Sequence, residues 1–369
     1  MTVSRLVGAR VARVEDERFL TGRGRYVDNL PFPNLLHAQI FRSPMAHGMI
    51  RGIDPSGLPA SGTWFFGPDA LRRRAPGPIP VLWTLPNQRQ AGHPLVDDRV
   101  RYVGEPIGIV VAASRAEAED GLEEIVVDLE ELPTVPDVDA ALADRAPLLY
   151  PEWGTNVAAS FESGDDEQYT QAVFASAARV LRHRFRFGRV AGSPMEGRAI
   201  VADPSGGRLT VWTSTQAPQM IRDELGTILG LPHRDLHVIG PDVGGGFGLK
   251  DHLYEDEAMV CVAALELDHP VKWVEGRSES ILGTSHGRGE ELDAEVAFDL
   301  DGRLRGLRVG GIRDAGANLS IFGGGPLRSM ADNLPGPYRW DAVRRWGRSS
   351  SPTVRRPART VGSANRSPP

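Results

Sequence analysis

The run Gly244-Gly245-Gly246-Phe247-Gly248 constrains this chain more than any other segment. It follows the apolar stretch Leu236-His237-Val238-Ile239 and precedes a helix-like stretch from Tyr254 to Leu267. Glycine alone lacks a Cβ and tolerates positive φ, so three in a row followed by Phe-Gly mark backbone that passes very close to something. The blandest form of such a strand-to-helix loop is a tight turn without a ligand. The rest of the sequence has to decide between the two readings.

The chain has 369 residues, 41% of them hydrophobic, which allows two or three domains and a sizeable core. A formal charge of −6 argues against general attraction to nucleic acid or anionic lipid. Cys261 is the single cysteine, so this chain alone can form no intrachain disulfide, iron–sulfur cluster or cysteine zinc site. It lies in the apolar stretch Ala258 to Leu265, where a buried inert thiol is expected rather than a nucleophile. Residues 1–13 lack a signal-peptide core and no run approaches the about 18 apolar residues of a spanning helix, so the expected location is cytoplasmic. Lys250 and Lys272 are the only lysines among 42 basic residues, a bias that points to a GC-rich coding sequence.

Strand character is predicted at 35–42, 107–113 and 124–129, with Ser114-Arg115-Ala116-Glu117 spaced as a capping box that opens a helix. This pattern predicts an α+β domain over about 19–135, after an N-terminal arm at 1–18. The Pro- and Ala-bearing stretch around 136–155 reads as a surface linker. Strands are then predicted at 177–187, 199–203 and 208–214, with Ser205-Gly206-Gly207 as a turn, and a helix over Pro218 to Leu229. Residues 291–298 and 303–313 flank Asp301-Gly302, a strong hairpin signal. A second α+β domain over 156–340 follows.

Five segments in a fixed order carry a resemblance. They are RVEDERFLTGRGRYVDNL with LHAQIFRSPMAHGMI at 13–50, DDRVRYVGEPIGIVVA at 97–112, GSPMEGRAIVA at 192–202, LTVWTSTQAPQ at 209–219 and VIGPDVGGGFGLKD at 238–251. Together they resemble the molybdenum-binding large subunit of the xanthine dehydrogenase, aldehyde oxidase and aerobic carbon monoxide dehydrogenase family. The resemblance implies an a/b hammerhead-type domain, then the first part of a molybdopterin-binding α+β domain. It also implies a cofactor of molybdenum on a pterin dithiolene, including the cytosine dinucleotide form. The function it implies is hydroxylation of an aldehyde, purine, other N-heterocycle or carbon monoxide, with water as the oxygen source.

The same resemblance assigns positions. Gln216 lies beside the metal and bonds an oxygen ligand, work that suits an uncharged amide offering both donor and acceptor; by itself it reads as a solvent-facing residue at a helix start. Phe247 and Gly248 lie against metal and pterin, and Gly244, Gly245 and Gly246 complete a loop whose N–H groups can converge on oxygens or phosphate. Taken alone, Phe247 would be a core aromatic. Glu196 and Arg198 match a segment near the active-site funnel, with a plain surface ion pair as the alternative, and Gly197 stands where many relatives have proline. Asp251 occupies the place of a substrate-facing glutamate, one methylene shorter. His37, His47 and His252 read as structural or surface residues, since the family holds its metal through the pterin.

Partners follow from the same source. One cysteine cannot hold clusters, so a small iron–sulfur subunit with [2Fe-2S] centres and an FAD-binding medium subunit are expected, in a dimer of heterotrimers. Family members run to about twice this length, and two of their motifs do not occur here: a Tyr/Phe-Arg-Gly loop and a Gly-x-Gly-Glu segment bearing the general base. Residues 344–369 hold seven arginines, five serines, four prolines and no Asp, Glu or Lys. A disordered tail over 341–369 is therefore expected. Back-translation of Arg359 to Ser367 in another frame permits Tyr-Arg-Gly-Val-Gly-Gln-Pro-Glu, which predicts a frameshift near codons 341–346. A similar departure at 57–70 predicts a locally misfit first domain. Two other functions stay open: a non-catalytic remnant retaining a surface for the iron–sulfur subunit, and a nucleic-acid binder acting through the basic tail.

Overall fold

The structure is a computed structural model that describes residues 8–320 and 322–351. Its fold class is α+β, as the sequence predicts. The larger sheet has seven strands in the order Leu236–Ile239, Leu209–Thr213, Ala199–Asp203, Val271–Val274, Leu36–Arg42, Pro106–Ala112 and Thr63–Phe66. Leu36 and His37 pair in parallel with Val271 and Lys272, so strands from both predicted domains share this one sheet.

The strand Pro106–Ala112 is buried at every position, as its continuous apolar sequence requires of a strand covered on both faces. The helix Glu255–Leu267 lies in the core that covers this sheet, with every residue from Asp256 to Ala264 buried. A helix that is apolar all round belongs in a core. Cys261 sits within it at 0% exposure, and burial pushes its thiol pKa up, so it is the inert buried thiol expected. The helix Pro218–Leu229 has the predicted bounds; proline stands in its first turn and Gly230 ends it in the left-handed conformation. Ser114 caps the helix Arg115–Glu123 by accepting from the Glu117 N–H. A three-stranded sheet of Arg99–Val100, Gly48–Asp54 and Val126–Glu131 completes the N-terminal part.

The second large sheet has five strands, in the order Arg179–Val190, Gly287–Phe298, Leu304–Asp314, Ala342–Ser350 and Val157–Gly164. The predicted hairpin around Asp301-Gly302 joins two of them. The helices Glu167–Ser176 and Gly325–Asn333 pack on this sheet through Phe174 against Gly306 and Leu327 against Gly347.

Three expectations are corrected. Ala342–Ser350 is not part of a tail: it pairs in parallel with Leu304–Asp314 and antiparallel with Val157–Gly164. The rest of the predicted tail, 352–369, lies outside the described residues. The segment 57–70 is no misfit, since Thr63–Phe66 pairs with Pro106–Ala112 and Phe65 packs edge-on against Phe41. The predicted surface linker is partly core, because Ala141, Leu149 and Tyr150 are buried with Tyr102, Val135 and Ala317.

No helix among the described residues is long and apolar enough to cross a membrane.

Candidate functional site

Gly244–Gly248 leaves the strand Leu236–Ile239 at the end of the larger sheet, and Asp242 anchors its approach. The Asp242 carboxylate takes both prongs of the Arg18 guanidinium and the Arg25 N–H, and the hydrogen bond from Arg18 holds its pKa below the usual range. Within the loop, Gly245, Phe247 and Gly248 have φ of 103°, 56° and 78°. The left-handed φ is ordinary for the glycines and strained for Phe247, whose ring is nonetheless 75% exposed. The core reading of Phe247 is therefore overturned.

Gln216 lies on this loop. Its Oε1 accepts the Gly248 N–H at 3.1 Å, and its Nε2 has no partner among the described residues. A Cβ on Gly246 would stand 1.9 Å from Gln216 Oε1, and one on Gly244 would stand 2.6 Å from Glu196 Cβ. The absence of side chains is what lets the two segments touch. Asp251 Oδ2 lies 3.7 Å from the position a Gly248 Cβ would take, so Asp251 also borders the loop.

Glu196 and Arg198 do not come together. Glu196 Oε2 accepts the Gly244 N–H at 2.7 Å and the Lys250 ammonium at 2.9 Å. Arg198 is 1% exposed and bonds Asp256 at 2.6 and 2.7 Å and Glu275 at 2.7 and 3.0 Å, under the rings of Tyr254 and Trp273. It is fully buried, and so is not half of a surface ion pair. Burial opposes its charge, but Asp256 and Glu275 outweigh that cost and keep the guanidinium protonated. Burial likewise opposes the Asp256 charge, yet Arg198 and Arg42 hold this carboxyl down to about 2. Nearby, burial pushes Glu257 up to about 7 and Glu224 up to about 8.

His252 and His47 are buried and His37 is half-buried, so none is a surface residue. Burial and Arg198 depress the His252 pKa to about 3, which keeps the ring neutral.

The loop suits an anionic cofactor rich in acceptors. The N–H groups of Gly245, Gly246 and Phe247 have no hydrogen-bond partner among the described residues, and consecutive free amides in such a turn form an anion-binding concavity. The solvent-exposed Gln216 side chain, bonded to the loop through its Oε1, adds two amide donors beside them.

Comparison with known proteins agrees with this chemistry. Residues 149–350 match the family model of the molybdopterin cofactor-binding domain, and residues 21–133 match that of the aldehyde oxidase and xanthine dehydrogenase a/b hammerhead domain. The chain belongs to the molybdopterin cofactor-binding family. It is 37% identical over 320 residues to the nicotine 6-hydroxylase large subunit of Paenarthrobacter nicotinovorans, which covers 85% of this chain and 38% of the relative. It is 36% identical over 325 residues to the carbon monoxide dehydrogenase large chain of Afipia carboxidovorans, covering 84% and 40%. Among solved structures, quinoline 2-oxidoreductase from Pseudomonas putida 86 superposes with a TM-score of 0.84 at 34% identity, covering 93% of this chain and 44% of that one. The chain thus spans about two fifths of the length of these relatives. The molybdopterin-domain match runs through residues 341–346, where the frameshift was expected, and on to 350.

Sequence reasoning missed Lys250, which ties Glu196 to the end of the loop. Its signal was compositional: in a chain that uses arginine almost everywhere, one of two lysines follows the glycine run by two residues. Arg18 and Asp242, which brace the same loop across the sequence, left no local signal.

Proposed function

We propose that this chain forms the molybdopterin-binding part of a molybdenum hydroxylase large subunit. Such a protein oxidises an aldehyde, an N-heterocycle or carbon monoxide with water as the oxygen source. The observation that carries this reading is that Gln216 is bonded to the glycine loop through Gly248, beside three successive residues, Gly245, Gly246 and Phe247, whose N–H groups have no acceptor among the described residues. When bound, the cofactor supplies the redox centre at which the substrate carbon is hydroxylated.

The chain's own residues bind and orient. The loop amides hold anionic oxygens, as preorganised backbone donors do at low cost of rearrangement. Gln216, its carbonyl already committed to Gly248, would present its nitrogen as a donor to an oxygen of the bound cofactor. Phe247 offers an exposed aromatic side chain at the same loop, and Asp251 is proposed as the substrate-side carboxylate. Glu196 and Arg198 have no direct part in this assignment, because their polar atoms are engaged within the protein or buried.

The relatives' names as a large chain and a complex subunit gamma support further subunits as partners; the partners proposed are a small iron–sulfur subunit and an FAD-binding subunit, in a dimer of heterotrimers. A cytoplasmic location and the cytosine dinucleotide form of the cofactor complete the proposal. Its test is elemental and fluorimetric. The chain, purified from a host that makes the cofactor, is expected to carry stoichiometric molybdenum and oxidisable pterin; a chain that carries neither, and takes up neither when cofactor is supplied, overturns the reading.

A further inference from the structure

We infer that Glu196 and Lys250 form a clasp that sets the curvature of the Gly244–Gly248 loop and its seating on Gln216, and that both act as positioning residues for the cofactor. The inference rests on the functional reading above. It goes further in giving Glu196 a supporting part instead of a substrate-facing one, and in giving Lys250 a part for the first time.

The geometry is a closed circuit. Glu196 Oε2 receives the N–H of Gly244, the first residue of the loop, at 2.7 Å and the ammonium of Lys250, two residues past its end, at 2.9 Å. One carboxylate oxygen therefore joins the two ends of the turn. The Glu196 N–H donates to the Gly244 carbonyl at 3.2 Å, which fixes the near end twice. At the far end the Lys250 carbonyl accepts the Gln216 N–H at 2.9 Å and the Thr215 hydroxyl at 2.9 Å, so the opposite wall hangs from the same residue.

Burial makes the arrangement mandatory. The Lys250 side chain is 0% exposed and that of Glu196 16% exposed, so either charge without the other would be stranded in the protein. Lysine suits the place because its ammonium is a compact charge on a flexible stem, whereas arginine presents a wide planar fork. The polar partners of the pair are Gly244, Gln216, Thr215 and each other. All belong to the loop or to the Gln216 segment. Loss of the clasp should therefore displace the loop and leave the sheet beneath it intact.

The decisive variant is the double replacement Glu196→Gln with Lys250→Met in the full chain, because it removes both charges and strands neither. Three readouts are taken on it and on the wild type: thermal melting, deuterium uptake of the peptide spanning 243–250, and pterin and molybdenum content after loading with molybdopterin. The expected result is a melting temperature close to wild type, exchange of the hydrogen-bonded amides of Gly244, Gly248 and Leu249 faster by about tenfold, and cofactor content lower by roughly 10- to 100-fold at a matched sub-saturating supply. Lys250→Met alone should lose cofactor similarly and melt lower.

Unchanged exchange in a folded double variant overturns the clasp. Faster exchange with wild-type cofactor content overturns the positioning role. Should the wild type itself take up no cofactor while the variant's loop exchanges faster, the functional reading fails and the structural clasp stands.

Discussion

Arg198 and Asp256 meet in a two-pronged ion pair, at 2.6 and 2.7 Å, with each side chain 1% exposed. Arg198 immediately precedes the strand Ala199–Asp203, while Asp256 lies in the first turn of the buried helix Glu255–Leu267. Glu275, which takes the remaining donors of Arg198, immediately follows the strand Val271–Val274. The pair therefore sews a helix to two strands of the larger sheet beneath the glycine loop.

Replacing Arg198 with Met should destabilise the fold by about 3–5 kcal/mol, because Glu275 would be left buried without a cationic partner and Asp256 would keep only Arg42. Urea denaturation followed by circular dichroism measures it. Arg198→Lys should recover little, since an ammonium cannot bond two carboxylates in the fork geometry. A loss below about 1 kcal/mol would place the pair among the weakly contributing ones.

Gly246→Ala should empty the site without unfolding the protein. Its methyl would collide with Gln216 Oε1, 1.9 Å away, and push the amide off the loop. Because the loop lies at the surface, a change in stability of about 0.5 kcal/mol or less is expected. Pterin fluorescence and thermal melting, taken on the same preparation, separate the two effects.

Stability should fall as pH rises from about 7 to 8.5, above the range in which His252, neutral in the fold and protonated below its ordinary value of 6.5 in the unfolded chain, acts in the opposite sense. Burial lifts Glu224 to about 8 and Glu257 to about 7, both above the ordinary value of 4.5. The native state thus holds protons that the unfolded chain releases near pH 4.5. Each group's contribution is fully present below the unfolded value and is lost as pH rises through the folded one, at about 1.4 kcal/mol per pH unit while one proton separates the states. Glu224→Gln, which can still accept the Leu253 N–H, should flatten the profile up to pH 8; an unchanged slope across this range counts against the assignment.

Stopping the chain after Asp341 should collapse the five-stranded sheet. Ala342–Ser350 is the only strand among the described residues that links Val157–Gly164 to the rest of that sheet. Size-exclusion chromatography and near-ultraviolet circular dichroism should report an aggregated or loosely packed product, where a dispensable tail would leave both unchanged.

The sequence revealed what is local. The bounds of Pro218–Leu229, the Ser114 cap and the Asp301-Gly302 hairpin each depend on residues a few positions apart. Ala342–Ser350 escaped because its stabilising partners are distant. Arg344 pairs with Glu162 at 3.1 Å and Glu167 at 2.6 Å, and Arg345 with Asp332 at 3.2 Å, so arginines that read as a solvated tail are paired in the fold. Trp346 lies across Gly310, where a Cβ would stand 2.3 Å from its ring. That the glycine loop and Gln216 lie against each other was legible through the order of their motifs. Arg198 was misplaced because a charged residue in a polar-looking segment gives no local sign that three buried acids surround it.

The pairing of Leu36 with Val271 also bears on synthesis at the ribosome. Chains elongate at roughly 5–20 residues per second, so the strand Leu36–Arg42 waits on the order of ten to fifty seconds for its parallel neighbour. Until then, one of its backbone edges has nothing to pair with. The N-terminal strands therefore reach their final pairing only after residue 271 has been made, and a half-built sheet edge is exposed in the nascent chain until then.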